Sequence, residues 1–180
     1  IQLSSNETNI YLFPSLSAFI KNEMAGVSGY TPYQNTIHIY VHIDFPDNWQ
    51  KSLRQTLTHE YAHSVHFQNK FTFYKLSEAF IFEGLAEVFR EETDGTGKSP
   101  MTRKINIERT LNYFSSLSKK YSSTDFSLYQ NVFFGDDNFP TWTGYKIGYL
   151  LAKKYRSKNR SASWENIFLI NPKNIFDYTK

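Results

Sequence analysis

Apolar residues recur along this chain with two periods, and the switch between them locates the first elements. Residues 37–43 alternate, with Ile37, Ile39, Val41 and Ile43 set against His38, Tyr40 and His42. That is the two-residue period of a strand with one buried face. Residues 9–13 read as another strand, with a short helix over about 15–24 and a turn-rich connection over Gly26–Asn35. From residue 47 the spacing changes to four, at Trp49, Leu53, Leu57, Tyr61 and Val65, which predicts a helix over 47–68. Asp47 is its expected N-cap, with Pro46 before it and Gln50 three residues on, as in a capping box. A second helix is predicted over 77–92 from Ala79, Phe82, Ala86 and Phe89. Ser77 and Glu78 suit its start, and Asp94-Gly95-Thr96-Gly97 stops it. Further helices are expected at about 103–121, at 141–157 and, shorter, near 164–170. A small antiparallel or mixed N-terminal sheet followed by helices is an α+β arrangement, expected here as one domain over 1–180.

The first long helix carries His59-Glu60-Tyr61-Ala62-His63, the HExxH pattern. Composition alone would produce it about 0.008 times in this chain, so chance is a poor account of it. Histidines four apart lie roughly 40° from each other around a helix, so both can grip one ion, while Glu60 points beside that ion. Positions 56, 59, 60, 63 and 67 share a face distinct from the apolar stripe and can line a cleft. Zinc in a hydrolytic site takes three protein ligands and a water that needs a base close by. Glu83 and Glu87, four apart on the second helix, would repel each other when buried unless something positive sits between or beside them. Glu83 is therefore assigned as the third ligand, and Glu87 as the acceptor that fixes a histidine ring, most naturally His59. The reverse assignment stays open. Arg90, Glu91 and Glu92 read as a solvated helix face.

These residues resemble the gluzincin metallopeptidases, in which HExxH is followed on a later helix by a glutamate ligand. The Glu83-Gly84-Leu85-Ala86 string is similar to the ligand motif of the membrane-alanyl-aminopeptidase branch. The spacing of Glu83 and Glu87 resembles that of the thermolysin branch, where the later acid supports a histidine ligand. More closely, a set of strings looks like a bacterial family described only as predicted zinc-dependent proteases. They are Gly29-Tyr30-Thr31-Pro32, Thr58-His59-Glu60-Tyr61-Ala62-His63, Glu83-Gly84-Leu85-Ala86 and Gly144-Tyr145-Lys146-Ile147-Gly148-Tyr149, spread over roughly residues 10–155. The resemblance implies a minimal zincin-like fold with one Zn²⁺ on His59, His63 and Glu83, and with Glu60 as general base. It also implies peptide or protein substrates. A tyrosine three residues before a glycine is the oxyanion donor in the aminopeptidase branch, which points to Tyr145, with Tyr149 second. Zincin substrates pair with an exposed strand beside the active-site helix, and strand 37–43 is the candidate. The aminopeptidase anchor for a free N-terminus, Gly-x-Met-Glu-Asn, is missing, so endopeptidase action is favoured. Two other classes remain open: a zinc-binding sensor or binding domain that does not cut, and a zinc hydrolase acting on non-peptide esters or amides.

Composition narrows this further. The 40% hydrophobic and 18% aromatic content of these 180 residues excludes disorder. Without cysteine there are no thiolate metal sites, disulfides or cysteine nucleophiles. No run approaches 18 apolar residues, so no transmembrane segment is expected. The basic residues Lys153, Lys154, Arg156, Lys158 and Arg160 read as a solvated helix end and not as a nucleic-acid surface. Asp136-Asp137 reads as a turn, because its spacing is not that of an EF-hand. His38 and His42 are expected to face solvent or the cleft at a sheet edge. His66 would lie too far along the helix axis to share an ion with His59 and His63. Residue 1 is Ile, from which an upstream segment and an extracytoplasmic location are expected.

Overall fold

The structure is a computed structural model and describes residues 7–45, 47–69 and 73–180. Three strands come first in the chain: β1 (Asn9–Ser15), β2 (Val27–Tyr33) and β3 (Thr36–His42), with the short helix α1 (Ala18–Glu23) after β1. Among the described residues seven helices follow: α2 (Trp49–Gln68), α3 (Leu76–Asp94), α4 (Ile107–Ser116), α5 (Phe126–Phe134), α6 (Thr143–Lys158), α7 (Trp164–Phe168) and α8 (Pro172–Thr179). A single 3₁₀ turn, Ser118–Lys120, separates α4 from α5. This is an α+β fold, a small mixed sheet followed by a mainly helical part.

Strand order is β1-β3-β2, with β1 parallel and β2 antiparallel to β3. The alternating strand is therefore the centre of the sheet and not its edge, because the Gly26–Asn35 stretch is itself largely a strand. Gly29 and Pro32 make that segment look like a turn. Pairing with β3, from Val27↔Val41 to Tyr33↔Thr36 with an irregularity between Tyr30 and Tyr33, overrides the local signal. His42 is accordingly buried and accepts a hydrogen bond from the Asp44 amide, while His38 sits among the rings of Tyr11, Phe13 and Tyr30. Ile37, Ile39 and Val27 turn inward and pack with Leu53, Leu57 and Tyr61 of α2.

The main core lies on the other side of α2 and is organised around α3. Phe80, Ile81, Leu85 and Val88 are fully buried there together with Phe133, Ile147, Ile167 and Ile175 from the later helices. Burying such a side chain stabilises by about 1.5–3 kcal/mol, so the later helices hold α3 in place on the sides that α2 does not cover. α6 crosses α3 where Gly84 and Gly148 meet. A Cβ on Gly84 would strike the Gly148 carbonyl, and one on Gly148 would strike the Phe80 carbonyl. Only paired glycines permit that approach.

Several boundaries differ from the sequence pattern. α2 begins after Asn48, which is left-handed and makes no side-chain cap, so Asp47 does not cap the helix. α3 starts at Leu76, and Glu78 accepts hydrogen bonds from the Tyr74 and Lys75 amides just ahead of it. α4 is shorter than 103–121 because Asn106 caps it and Leu117 ends it. α5 and α8 were not expected at all. Each starts at a short polar cap, Asp125 and Asn171, whose side chains accept from Ser127 and Lys173 amides. Among the described residues no helix is long and apolar enough to cross a membrane.

Candidate metal centre

The site forms where α2 lies between β2 and α3. One turn separates His59 from His63 on α2, and their Nε2 atoms stand 3.0 Å apart. Glu83 Oε2, from α3, is 3.2 Å from His59 Nε2 and 3.3 Å from His63 Nε2. All three side chains are buried. Ligands held about 2.0–2.2 Å from a tetrahedral ion stand roughly 3.3–3.6 Å from one another, so an outward shift of a few tenths of an ångström brings this set, at 3.0–3.3 Å, to metal-ready spacing. Among the described residues these three also form the group whose donor atoms are close enough to share an ion. Two imidazole nitrogens and a carboxylate oxygen turned toward one point need positive charge there. The carboxylates already supply the pull toward positive charge: burial opposes charge on His59, but its hydrogen bonds to the Glu83 and Glu87 carboxylates outweigh burial and hold its pKa well above the ordinary histidine value. The donor set thus fits a divalent cation.

The two histidines are oriented by different means. His59 Nδ1 lies 2.9 Å from Glu87 Oε1, so the carboxylate fixes which face of the ring turns toward Glu83. His63 is held by packing: its ring stacks on Phe82 at 4.2 Å between centroids and 3° between planes. Its Nδ1 has no hydrogen-bond partner among the described residues. His66 faces away from this point and packs between Phe82 and Phe168.

Glu87 is itself enclosed. Its Oε2 accepts from Ser99 Oγ at 2.6 Å, Thr102 Oγ1 at 3.1 Å and Arg90 at 3.4 Å. Burial would raise the Glu87 pKa, but His59 and then Arg90 and Ser99 keep it a carboxylate. Arg90, expected on a solvated face, is fully buried, pairs with Asp94 at 3.3 Å and donates to the Gly97 carbonyl at 2.6 Å. Glu91 and Glu92 do reach the surface side, where Lys153 and Arg156 pair with them. Those contacts, with Lys154 donating to the Thr179 carbonyl, engage much of the basic stretch within the fold.

Glu60 sits beside the cluster with its carboxylate fixed from β2. Thr31 Oγ1 donates to Glu60 Oε2 at 2.7 Å and lies 3.0 Å from the Glu60 carbonyl. β2 can pass this close because residue 29 is glycine: a Cβ there would overlap Glu60 Cγ, and would come within 2.7 Å of Glu60 Oε1. Tyr145, at the start of α6, has its ring 6.3 Å from that of His59. Burial first, and then the nearby Glu83 charge, raise its pKa well above the ordinary tyrosine value, so it remains a neutral donor. Tyr149 is directed elsewhere, donating to Glu91 at 2.7 Å with Lys98 and Lys153 over its ring. Tyr129 of α5, not singled out in the sequence, is likewise pushed up, by burial first and then by the Glu83 and Glu60 charges, so it stays protonated. Arg90, Ser99 and Thr102 were missed as well, and Thr31 was noted only within a family-like string without its role at Glu60, since each acts across elements and leaves no spacing signal.

A family model described as "Predicted Zn-dependent protease (DUF2268)" matches residues 1–177. The chain belongs to that family. No curated protein and no solved structure matches it. For this member of the predicted Zn-dependent proteases, the buried His59, His63 and Glu83 are the residues compatible with the metal that the family description names.

Proposed function

We propose that this chain is a gluzincin-type zinc peptidase, an endopeptidase, with His59, His63 and Glu83 as ligands and Glu60 as general base. The observation that carries the proposal is the convergence of three buried donor atoms beside a carboxylate that a separate element holds in place. When bound, zinc would supply Lewis-acid polarisation of a carbonyl and a lowered pKa for the water it carries. Glu60, with Oε2 occupied by Thr31, keeps Oε1 to take the proton of the attacking water and return it to the departing amine. Tyr145 donates to the oxyanion that develops at the scissile carbonyl. Glu87 keeps the proton of His59 on Nδ1, leaving Nε2 to the ion. The substrate backbone adds to the free edge of β2, the strand beside the site.

The test is Glu60→Gln assayed against the zinc-loaded wild type on a peptide mixture, with a chelator control. The variant is expected to bind zinc with unchanged stoichiometry and to lose at least about a hundredfold in rate. A Glu60→Gln protein that cuts at wild-type speed removes the base assignment. A zinc-loaded wild type that cuts nothing removes the peptidase.

A further inference from the structure

Two cavities of unequal size flank Glu60, and the inequality bears on substrate choice. Both are walled by Gly29, His59, Glu60 and Tyr145. One has a volume of about 270 Å³ and is lined by Phe67, Phe73, Phe82, Tyr129 and Phe134. The other is about 40 Å³, enclosed by Met24, Ser52, Gln55, Ser99 and Met101. Their positions along α2 set their order. Ser52 and Gln55 precede Glu60 by one to two turns, whereas His63 and Phe67 follow it by one to two turns. β2 runs past in the same sense, with Val27 at the small cavity and Tyr30, Thr31 and Pro32 at the large one. A chain laid along β2 with its carbonyl at Glu60 therefore has one flanking side chain at each cavity.

We propose that the site selects a large aromatic or aliphatic residue on one side of the scissile bond and a residue no bigger than Ala or Ser on the other. The proposal rests on the peptidase reading above. Size supports it: a dry cavity of about 150 Å³ already accepts benzene, while a single water needs about 10–15 Å³. The large cavity thus takes a ring with room to spare, and the small one excludes any ring. Chemistry supports it too. The carboxylates lining the large cavity are Glu60 and Glu83, engaged by Thr31 and by the histidines, and no lysine or arginine lines it among the described residues. An acidic substrate side chain would meet these carboxylates and no described cation, at a desolvation cost. The walls are fixed in advance, because Phe73 packs on Phe82 at 5.0 Å and stacks on Tyr129 at 5.6 Å between centroids.

The experiment has two arms on the zinc-loaded full chain. In the first, a peptide library is digested and the cleavage sites are sequenced by mass spectrometry. Phe, Tyr, Trp, Leu or Met should be enriched on one side of the cut, and Gly, Ala or Ser on the other. In the second, the affinities of two zinc-chelating hydroxamates that differ only in a benzyl or a methyl group are measured by calorimetry. The benzyl compound should bind at least about tenfold more tightly, the scale at which apolar pockets discriminate. Phe73→Ala should shrink that ratio, and Met101→Ala should admit larger residues at the small position. Equal affinities for the two hydroxamates, or cuts flanked by charged residues, overturn the proposal. A benzyl preference in a protein that cuts no peptide keeps the pocket assignment and rejects the peptidase.

Discussion

α2 and α3 meet at the candidate metal centre, and each presents polar side chains four residues apart, His59 with His63 and Glu83 with Glu87. Their surroundings differ. Of the 20 residues of α2, 9 are buried, against 15 of the 19 in α3. α2 lies between the sheet and α3 and keeps an exposed side at Lys51 and Arg54. α3 has almost no exposed side before Glu91. A charge on α2 can therefore be hydrated, while every charge on the first four turns of α3 must find a partner inside the protein. Glu83 faces the two histidines, and Glu87 faces His59, Arg90, Ser99 and Thr102. The α3 half of the candidate site is built into the core, so its residues should show in stability as well as in metal binding.

The sharpest way to break this contrast is Arg90→Leu beside Arg54→Leu. The first leaves Glu87 and Asp94 buried without their cation and should lower unfolding free energy by about 3–5 kcal/mol. The second, on an exposed position, should stay within about 0.5 kcal/mol. Urea titrations that give equal losses for the two would end the distinction. Next in size is Gly148→Ala, which drives a methyl into the Phe80 carbonyl and should cost about 1–3 kcal/mol. Because Gly148 lies on α6 just after Tyr145 and packs against Gly84, activity should fall by more than the folded fraction does. Proportional losses would show that the crossing only supports the fold.

Glu87→Gln tests whether the enclosed carboxylate orients His59. Zinc affinity, measured by competition with a chromophoric chelator, should weaken about tenfold to a hundredfold. An unchanged value would mean that packing suffices for His59, as the Phe82 stack does for His63. At neutral pH the smallest effect is expected at His66, which matters only in acid, because burial lowers its pKa to about 3, with the neighbouring His63 adding to the shift. Neither of its ring nitrogens has a hydrogen-bond partner among the described residues. The unfolded chain protonates this ring near pH 6.5 and the folded chain does not, so the folded state binds fewer protons below that pH. Stability should therefore fall as pH drops from about 6.5 toward 3, by at most about 1.4 kcal/mol per pH unit from this group. His66→Leu should flatten that limb of the thermal stability profile; an unaltered slope would place the acid sensitivity elsewhere.

The same contrast explains what could be read in advance. The candidate donors on α2 were legible because a metal demands a fixed spacing on one helix face, and His59, Glu60 and His63 stand apart from the apolar stripe of Leu53, Leu57 and Tyr61. On α3 the pair Glu83 and Glu87 could be found, but Arg90 looked like surface, because charge in a sequence signals exposure until a buried partner is known. β2 was hidden since Gly29 and Pro32 carry turn chemistry. Gly29 is there to let the strand approach Glu60, and Thr31 to hold that carboxylate, and both are facts of tertiary contact. Tyr129 was invisible because α5 was not foreseen. The α+β class needed only the order of the two hydrophobic periods.

The central claim is that one divalent ion is held between α2 and α3. A crystal of the protein grown with one equivalent of zinc, with data collected on both sides of the zinc absorption edge, tests it most directly. The account predicts a single anomalous peak about 2.0–2.2 Å from His59 Nε2, His63 Nε2 and a Glu83 oxygen, with Glu60 adjacent but not coordinating. A peak bound by other residues, or zinc that leaves these three side chains without an ion, would contradict it.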